Sequence, residues 1–277
     1  MGIATTELSP IEETALLTEY ARALDSQWPE PILGDHLAFE VIGNIDYDFT
    51  VLGVQTSVVC QTALRAKMLD ERVSAFVAEH PEAVVVDLGA GLDSGYYRVA
   101  PPETVDWYSV DLPGIIALRN QVLPPSAHSH SVPVSLADEH WPDAIPGSRP
   151  TMLIADGLFA FLSEPQIAGI FRRITDHFGS GELAFNDYGR MGWVSRIGMK
   201  VLPQKMYKVI GGQMGYPGFK DAHYPQTWNP RMTVVEEASL VYAPEVDLFP
   251  GWIRVMTKLS RYSKAASRKA RILRYAF

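Results

Sequence analysis

Cysteine is almost absent from this sequence: Cys60 is the single one in 277 residues. Without a partner it forms no disulfide within the chain and no Cys-rich zinc site, which points to a reducing compartment. Also missing is any apolar run near the ~18 residues that a membrane-spanning helix requires. Met1 to Pro10 carries Glu7 and no basic segment of the kind that opens a secretory leader. The expectation is a cytoplasmic protein without a membrane span. Acids, finally, are missing from one stretch. From Arg254 onward there are eight Lys or Arg and no Asp or Glu, so at a formal net charge of −8 residues 1 to 253 carry −16 (−8 minus +8). An acidic body repels nucleic acid. The basic end could be read as a nucleic-acid or anionic-membrane patch, but it reads as the solvated face of a helix and strand packed on the sheet, so neither nucleic acid nor a membrane is expected as a partner. No internal repeat or low-complexity linker marks a domain boundary, so residues 1–277 are read as one domain.

What is present is a globular balance of 47% hydrophobic, 20% charged and 10% aromatic residues. Ser9 as N-cap, Pro10 at the first helical position and Glu12 completing a capping box predict a helix to Leu24. Val59, Ala63, Ala66, Leu69, Val73, Phe76 and Val77 recur at helical spacing and predict a second from Gln55 to Glu79, stopped by His80-Pro81. Short apolar runs follow at 84–88, 107–110, 131–134, 152–155 and 183–185, interleaved with helical patterns such as Glu164 to Phe178. Such alternation predicts a mostly parallel sheet with helices on both faces, whose ligands bind outside the carboxyl ends of the strands.

Residues 188–232 break the alternation and read as an inserted cap. Its Met191, Trp193, Met199, Met206, Tyr216 and Phe219 would line an apolar pocket, or else form a small core or a dimer contact. Two more strands are expected at 233–242 and 271–277. Between them Trp252, Val255, Met256, Leu259 and Tyr262 have the spacing of a helix laying one face on the sheet, with Arg254, Lys258 and Arg261 left in water.

The most informative stretch is Val84-Val85-Val86-Asp87-Leu88-Gly89-Ala90-Gly91-Leu92-Asp93. A buried strand ends in an acid and a Gly-x-Gly turn, where missing side chains let the backbone approach a ligand. Ser94 stands where a dinucleotide fingerprint has its third glycine, and Asp93 would oppose a pyrophosphate at a helix N-terminus. S-adenosylmethionine has no phosphate and carries two cationic centres, so acids around the turn suit it. Asp111, ending Trp107-Tyr108-Ser109-Val110-Asp111, can accept from both ribose hydroxyls of any nucleoside.

Asp87-Leu-Gly-Ala-Gly-Leu-Asp-Ser, Asp111-Leu-Pro and Ala155-Asp156-Gly157-Leu158-Phe159-Ala160-Phe161-Leu162 together resemble the leucine carboxyl methyltransferase family. The likeness is closest to its bacterial branch, the tetracenomycin-type polyketide synthesis O-methyltransferases. It begins near Tyr20 and runs to about Asp187. The resemblance implies a Rossmann-like, seven-stranded class I S-adenosylmethionine-dependent methyltransferase fold with a cap inserted between strands 5 and 6. It implies S-adenosylmethionine as cofactor, with S-adenosylhomocysteine as product. By the same resemblance Arg65 grips the methionyl carboxylate, Gly89 and Gly91 underlie the methionyl part, and Asp111 holds the ribose. Ser135 and Leu136 fall beside the adenine, Ser135 replacing an acid, and Asp156 stands where Glu is usual. The expected cofactor set is Arg22, Arg65, Asp87, Gly89, Ala90, Gly91, Asp111, Leu112, Ser135, Leu136, Asp156 and Gly157.

Methyl transfer needs alignment and desolvation more than covalent help. A carboxylate acceptor is already ionised at neutral pH, whereas a phenol gains from a base. Candidate catalytic groups are Tyr188, His223 and Tyr224, with Asp187 beside them. His128 and His130 could face one way on a strand, but no third ligand is evident and no metal is expected. The leading reading is an O-methyltransferase for a small, apolar or aromatic, polyketide-like acceptor, as a possible homo-oligomer. A protein C-terminal carboxyl methyltransferase, a non-catalytic S-adenosylmethionine-binding protein and an NAD-linked dehydrogenase remain open.

Overall fold

The structure, a computed structural model, describes residues 3–4, 13–189, 215–216 and 218–277. The capping residues Ser9, Pro10 and Glu12 lie outside the described residues, as do Met191, Trp193, Met199 and Met206. The chain opens with a two-residue strand β1 (Ile3–Ala4), then α1 (Glu13–Ser26) and α2 (His36–Gly43). A short β2 (Ile45–Asp46) pairs with β1, and α3 (Thr56–Glu79) follows.

The main sheet takes β3 (Val84–Leu88), β4 (Asp106–Asp111), β5 (Ser129–Pro133), β6 (Thr151–Ala155) and β7 (Gly181–Asp187), then β8 (Thr233–Ser239) and β9 (Arg271–Ala276). Their spatial order is β5-β4-β3-β6-β7-β9-β8, parallel except that β9 runs antiparallel to both neighbours. Helices α4 (Gly95–Val99), α5 (Pro113–Val122) and α6 (Glu164–His177) make the crossovers. This is the mostly parallel sheet expected from the alternation, with the seven strands that the family resemblance implies.

β3 is buried along its whole length, which is why it reads as an unbroken Val run. Its two-residue period splits the core. Val84, Val86 and Leu88 join Ile167, Ile170, Phe171 and Ile174 of α6 on one face. Val85 joins Leu64, Met68 and Leu69 of α3 on the other. Ser163 and Gln166 form a reciprocal capping box that starts α6 at the end where β6 terminates. Cys60 is buried within α3, and burial pushes its thiol up to about 12.

Two expectations need correction. The strand predicted over 233–242 stops at Ser239, because Leu240–Tyr242 turns into a 3₁₀ helix that buries Leu240 and Val241. The helix predicted around Trp252 exists, as α8 (Gly251–Ser260), but its apolar row does not lie on the sheet. Trp252 is 72% exposed, Leu259 54% and Tyr262 90%, with Val255 and Met256 also exposed. The packed residue is Ile253, which sits on a different face of the helix against Leu240, Val246 and Phe249. Sequence spacing marks a helix as amphipathic; it does not say which face finds a partner. The basic residues differ from expectation too: Lys258 pairs with Asp247, and Arg261 Nε donates to the Val241 carbonyl at 2.6 Å.

Candidate cofactor site

The turn after β3 is built to approach a ligand. Gly89 and Gly91 adopt φ of 67° and 54°, a region that favours glycine. A Cβ on Gly89 would meet Leu158 Cδ1 at 3.0 Å. The turn is tied to β4, since the N–H groups of Gly89 and Ala90 both donate to the Val110 carbonyl. Asp111 completes the tie: Oδ2 accepts the Gly91 N–H and Oδ1 the Leu112 N–H, each at 2.7 Å. A carboxylate offers about four acceptor sites, so these two bonds do not by themselves exhaust it. From α5, buried Arg119 donates to the carbonyls of Gly91 (3.2 Å) and Asp93 (2.7 Å).

A buried charge network fixes the far side of the turn. Arg98 pairs with Asp93 and Asp35 at 2.6 Å and with Asp70 at 2.7 Å, while Ser94 donates to Asp35 at 2.7 Å. Arg22 donates to Glu19 at 2.6 Å and lies 3.5 Å from Asp93. Burial opposes ionisation of Asp93, yet Arg22 and Arg98 hold its carboxyl well below the usual range. Burial raises Glu19 to about 7 and Asp70 to about 6, against the pull of Arg22 and Arg98 respectively. At Asp87 burial, reinforced by the charge of Asp93, raises the carboxyl to about 8.

Across the turn, Arg65 of α3 stands 2.7 Å from Asp156 and donates to the Tyr188 hydroxyl at 2.5 Å. Gly157, at φ 76°, donates its N–H to Asn186 Oδ1 at 2.6 Å, which sets the direction of the loop after β6.

These groups line a cavity of about 480 Å³ at the carboxyl ends of β3, β4 and β6, within the ~300–1,000 Å³ usual for cofactor and small-molecule sites. Arg22, Arg65, Asp87, Gly89, Ala90, Gly91, Asp111, Leu112, Ser135, Leu136, Asp156 and Gly157 all border it, together with Tyr188. Thr14, Thr18, Ser57, Gln61 and Phe161 extend it beyond the turn. Of the buried polar atoms on its wall, Asp87 Oδ2 has no hydrogen-bond partner, while Arg65 Nε and Asp156 Oδ1 face each other at 2.7 Å without a well-directed bond. An unpartnered carboxyl group beside a guanidinium–carboxylate pair fits a ligand carrying both cationic centres and a carboxylate, as S-adenosylmethionine does.

His223 and Tyr224 are not part of this wall. The described end of the insertion folds back on the sheet, where Tyr216 and Phe219 are buried among Phe185 and Trp228 rather than lining the pocket. Tyr224, in the short helix α7 (Tyr224–Trp228), donates to Glu164 at 3.0 Å, and His223 bonds Gln226 at 2.8 Å. Asp187 is engaged elsewhere, accepting from Arg271 Nε at 2.8 Å and from the Phe219 N–H at 3.0 Å. His130 bonds Asp106, at the opposite end of β4 from Asp111.

Sequence reasoning missed Arg119, Asp70 and the role of Asn186. Each is a polar residue inside an otherwise ordinary helix or strand, and its partner lies 26 or more residues away. Arg98 and Asp35 were visible as residues, without a sign that they meet.

Replacing Asp111 by Ala is expected to weaken S-adenosylhomocysteine binding at least about tenfold. Hydrogen bonds to a charged acceptor are worth about 1.5–3 kcal/mol each as an upper guide, and the Gly91 N–H loses its anchor as well. Calorimetry on a variant with an unaltered circular dichroism spectrum tests this, and an unchanged Kd would remove Asp111 from the site.

The sequence profile of the leucine carboxyl methyltransferase family matches residues 15–175. The tetracenomycin polyketide synthesis O-methyltransferase TcmP of Streptomyces glaucescens is 38% identical over 182 residues, 66% of this chain and 67% of its own. The S-adenosyl-L-methionine-dependent methyltransferase dpfgK of Gibberella zeae is 28% identical over 205 residues, covering 67% of this chain and 69% of its own. A crystal structure from Thermobifida fusca YX, assigned as a methyltransferase, superposes with a TM-score of 0.53 at 17% identity, over 92% of this chain and 93% of the other. That last likeness concerns the fold alone.

Proposed function

The chain belongs to the leucine carboxyl methyltransferase family, and from that premise we propose that it methylates the carboxylate of a small, largely apolar, polyketide-like acid. It is an S-adenosylmethionine-dependent O-methyltransferase. Among the described residues no helix is long and apolar enough to cross a membrane. In this reading Arg65 holds the methionyl carboxylate, Asp111 the ribose hydroxyls, and Ser135 and Leu136 flank the adenine. Asp87 and Asp156 face the cationic centres, and residues 1–277 act as one methyltransferase domain.

When bound, S-adenosylmethionine supplies the electrophilic methyl carbon. The protein's part is to align the acceptor oxygen behind that carbon and to keep water out. Leu17, Val58, Phe161, Leu162 and Ile170 give the cavity an apolar wall suited to a flat or acyl body. Tyr188, held by Arg65, offers a hydroxyl at the junction of cofactor and acceptor space.

The observation that carries the choice of acceptor concerns histidine. All seven histidines of the chain lie among the described residues, and none borders the cavity. An acceptor with a pKa near 4 needs no proton removed at neutral pH, whereas a phenol near 10 does. The expected result is methyl ester formation from aromatic acids, with the matched phenols of the same skeleton turned over at least about a hundredfold more slowly at pH 7. Transfer of labelled methyl to paired acids and phenols measures this ratio between pH 6 and 9. A ratio that favours the phenol would reverse the assignment of the acceptor while leaving the cofactor site intact.

A further inference from the structure

The 31 residues from Leu240 to Ala270 connect β8 to β9 at one end of the sheet. Ser239, the last residue of β8, and Asp187, the last of β7, both pair with Arg271, the first of β9. The connection therefore stands at the carboxyl end of β7, the end at which the cavity opens, and its Arg268 carbonyl abuts Gly189, next to Tyr188. It contains α8, whose row of Trp252, Val255, Met256 and Leu259, continued by Tyr262 just beyond its end, is mostly in water. Soluble surfaces seldom present so many large apolar side chains side by side without a partner.

The charges around this row select among partners. Residues 251 to 270 hold six Lys or Arg and no Asp or Glu, on a protein whose first 253 residues carry −16 (−8 minus +8). Asp247 neutralises Lys258 and its carbonyl accepts from Arg254, and Glu237 takes Arg268, but Arg254 on α8, Lys264 at the start of α9 (Lys264–Ser267) and Lys269 just after it are exposed. Two copies meeting through this face by two-fold symmetry would bring their basic residues together. An apolar row ending in Trp and Tyr, bordered by six cations with Asp247 the acid paired to one of them, fits the headgroup boundary of an anionic bilayer.

We propose that the exposed face of α8, with Arg254, Lys264 and Lys269, docks the protein in-plane on an anionic phospholipid surface, with the cavity end of the sheet toward the lipid. This differs from the sequence expectation of no membrane partner, which rested on that face being laid against the sheet. It does not depend on the chemical identity of the methyl acceptor.

The test is cosedimentation of the whole protein with vesicles of phosphatidylcholine alone and of phosphatidylcholine containing phosphatidylglycerol. Binding is expected to the second only, falling several-fold as salt shortens the Debye length from about 10 to about 3 Å. Trp252→Ser with Leu259→Ser should lose at least tenfold in vesicle affinity at an unchanged melting temperature, because both side chains are already in water. Arg254→Glu with Lys264→Glu should do the same. Absence of binding to the anionic vesicles, or binding that these variants leave intact, overturns the proposal. So does a dimer in light scattering that the Trp252→Ser, Leu259→Ser variant turns into a monomer without any vesicle binding, which would make the face a contact between copies.

Discussion

A protein lacking residues 271–277 is expected to fail to fold cooperatively. The segment supplies β9, which lies between β7 and β8 and hydrogen-bonds both, so its loss strips two strand interfaces at once. Ile272, Leu273 and Tyr275 are fully buried, and burying such side chains is worth about 1.5–3 kcal/mol each. Arg271, equally buried, holds Asp187 at the end of β7, Glu237 on β8 at 2.6 Å and the Phe219 carbonyl at 2.7 Å. Removing it leaves Asp187 uncompensated, and breaking a buried pair from one side costs about 3–5 kcal/mol. Together these losses match the ~5–15 kcal/mol that holds a whole domain folded. Thermal melting by circular dichroism should show no cooperative transition, or one at least about 15 °C lower. A truncated protein that melts within a few degrees of the full chain would mean that β9 is an ornament of the sheet.

Gly89→Val should leave the fold in place and abolish cofactor binding. A β-branched residue at φ 67° is strained, and its Cβ would press on Leu158 Cδ1 at 3.0 Å. Relief requires either the turn to move away from the Val110 carbonyl or Leu158 to swing into the cavity. Both routes spoil the same surface. The expected loss of S-adenosylhomocysteine affinity is at least a hundredfold, about 2.7 kcal/mol or more. Calorimetry reads it directly, and wild-type affinity in this variant would remove the turn from the site.

The strands were legible because a buried parallel strand is written as a local pattern. Val84-Val85-Val86 needs no knowledge of its neighbours to be read. The cavity wall was legible through the motif that carries the family likeness, and those residues cluster at strand ends, where the chain order nearly dictates their meeting. What could not be read were pairings across the fold. Arg119 looks like any helix arginine until α5 is laid beside the turn. Trp252 and Leu259 announce an amphipathic helix, but Ile253, one position away, decides which face packs. His223 and Tyr224 were placed near the acceptor because their segment looked like a cap, whereas its described end is drawn onto α6 by the aromatic cluster around Phe171 and Phe185.

The charge network behind the glycine turn bears on modularity. Glu19, Arg22 and Asp35 come from the helices that precede the sheet, and Asp93 and Arg98 from the sheet unit itself. Signs alternate along this chain of contacts, so each member is tolerable in the interior only while its neighbours remain. The helical segment ahead of β3 is therefore no detachable accessory to a nucleoside-binding module. Its acids and arginine are one half of a lock whose other half is in the turn, and the two halves can be inherited or exchanged only as a matched set.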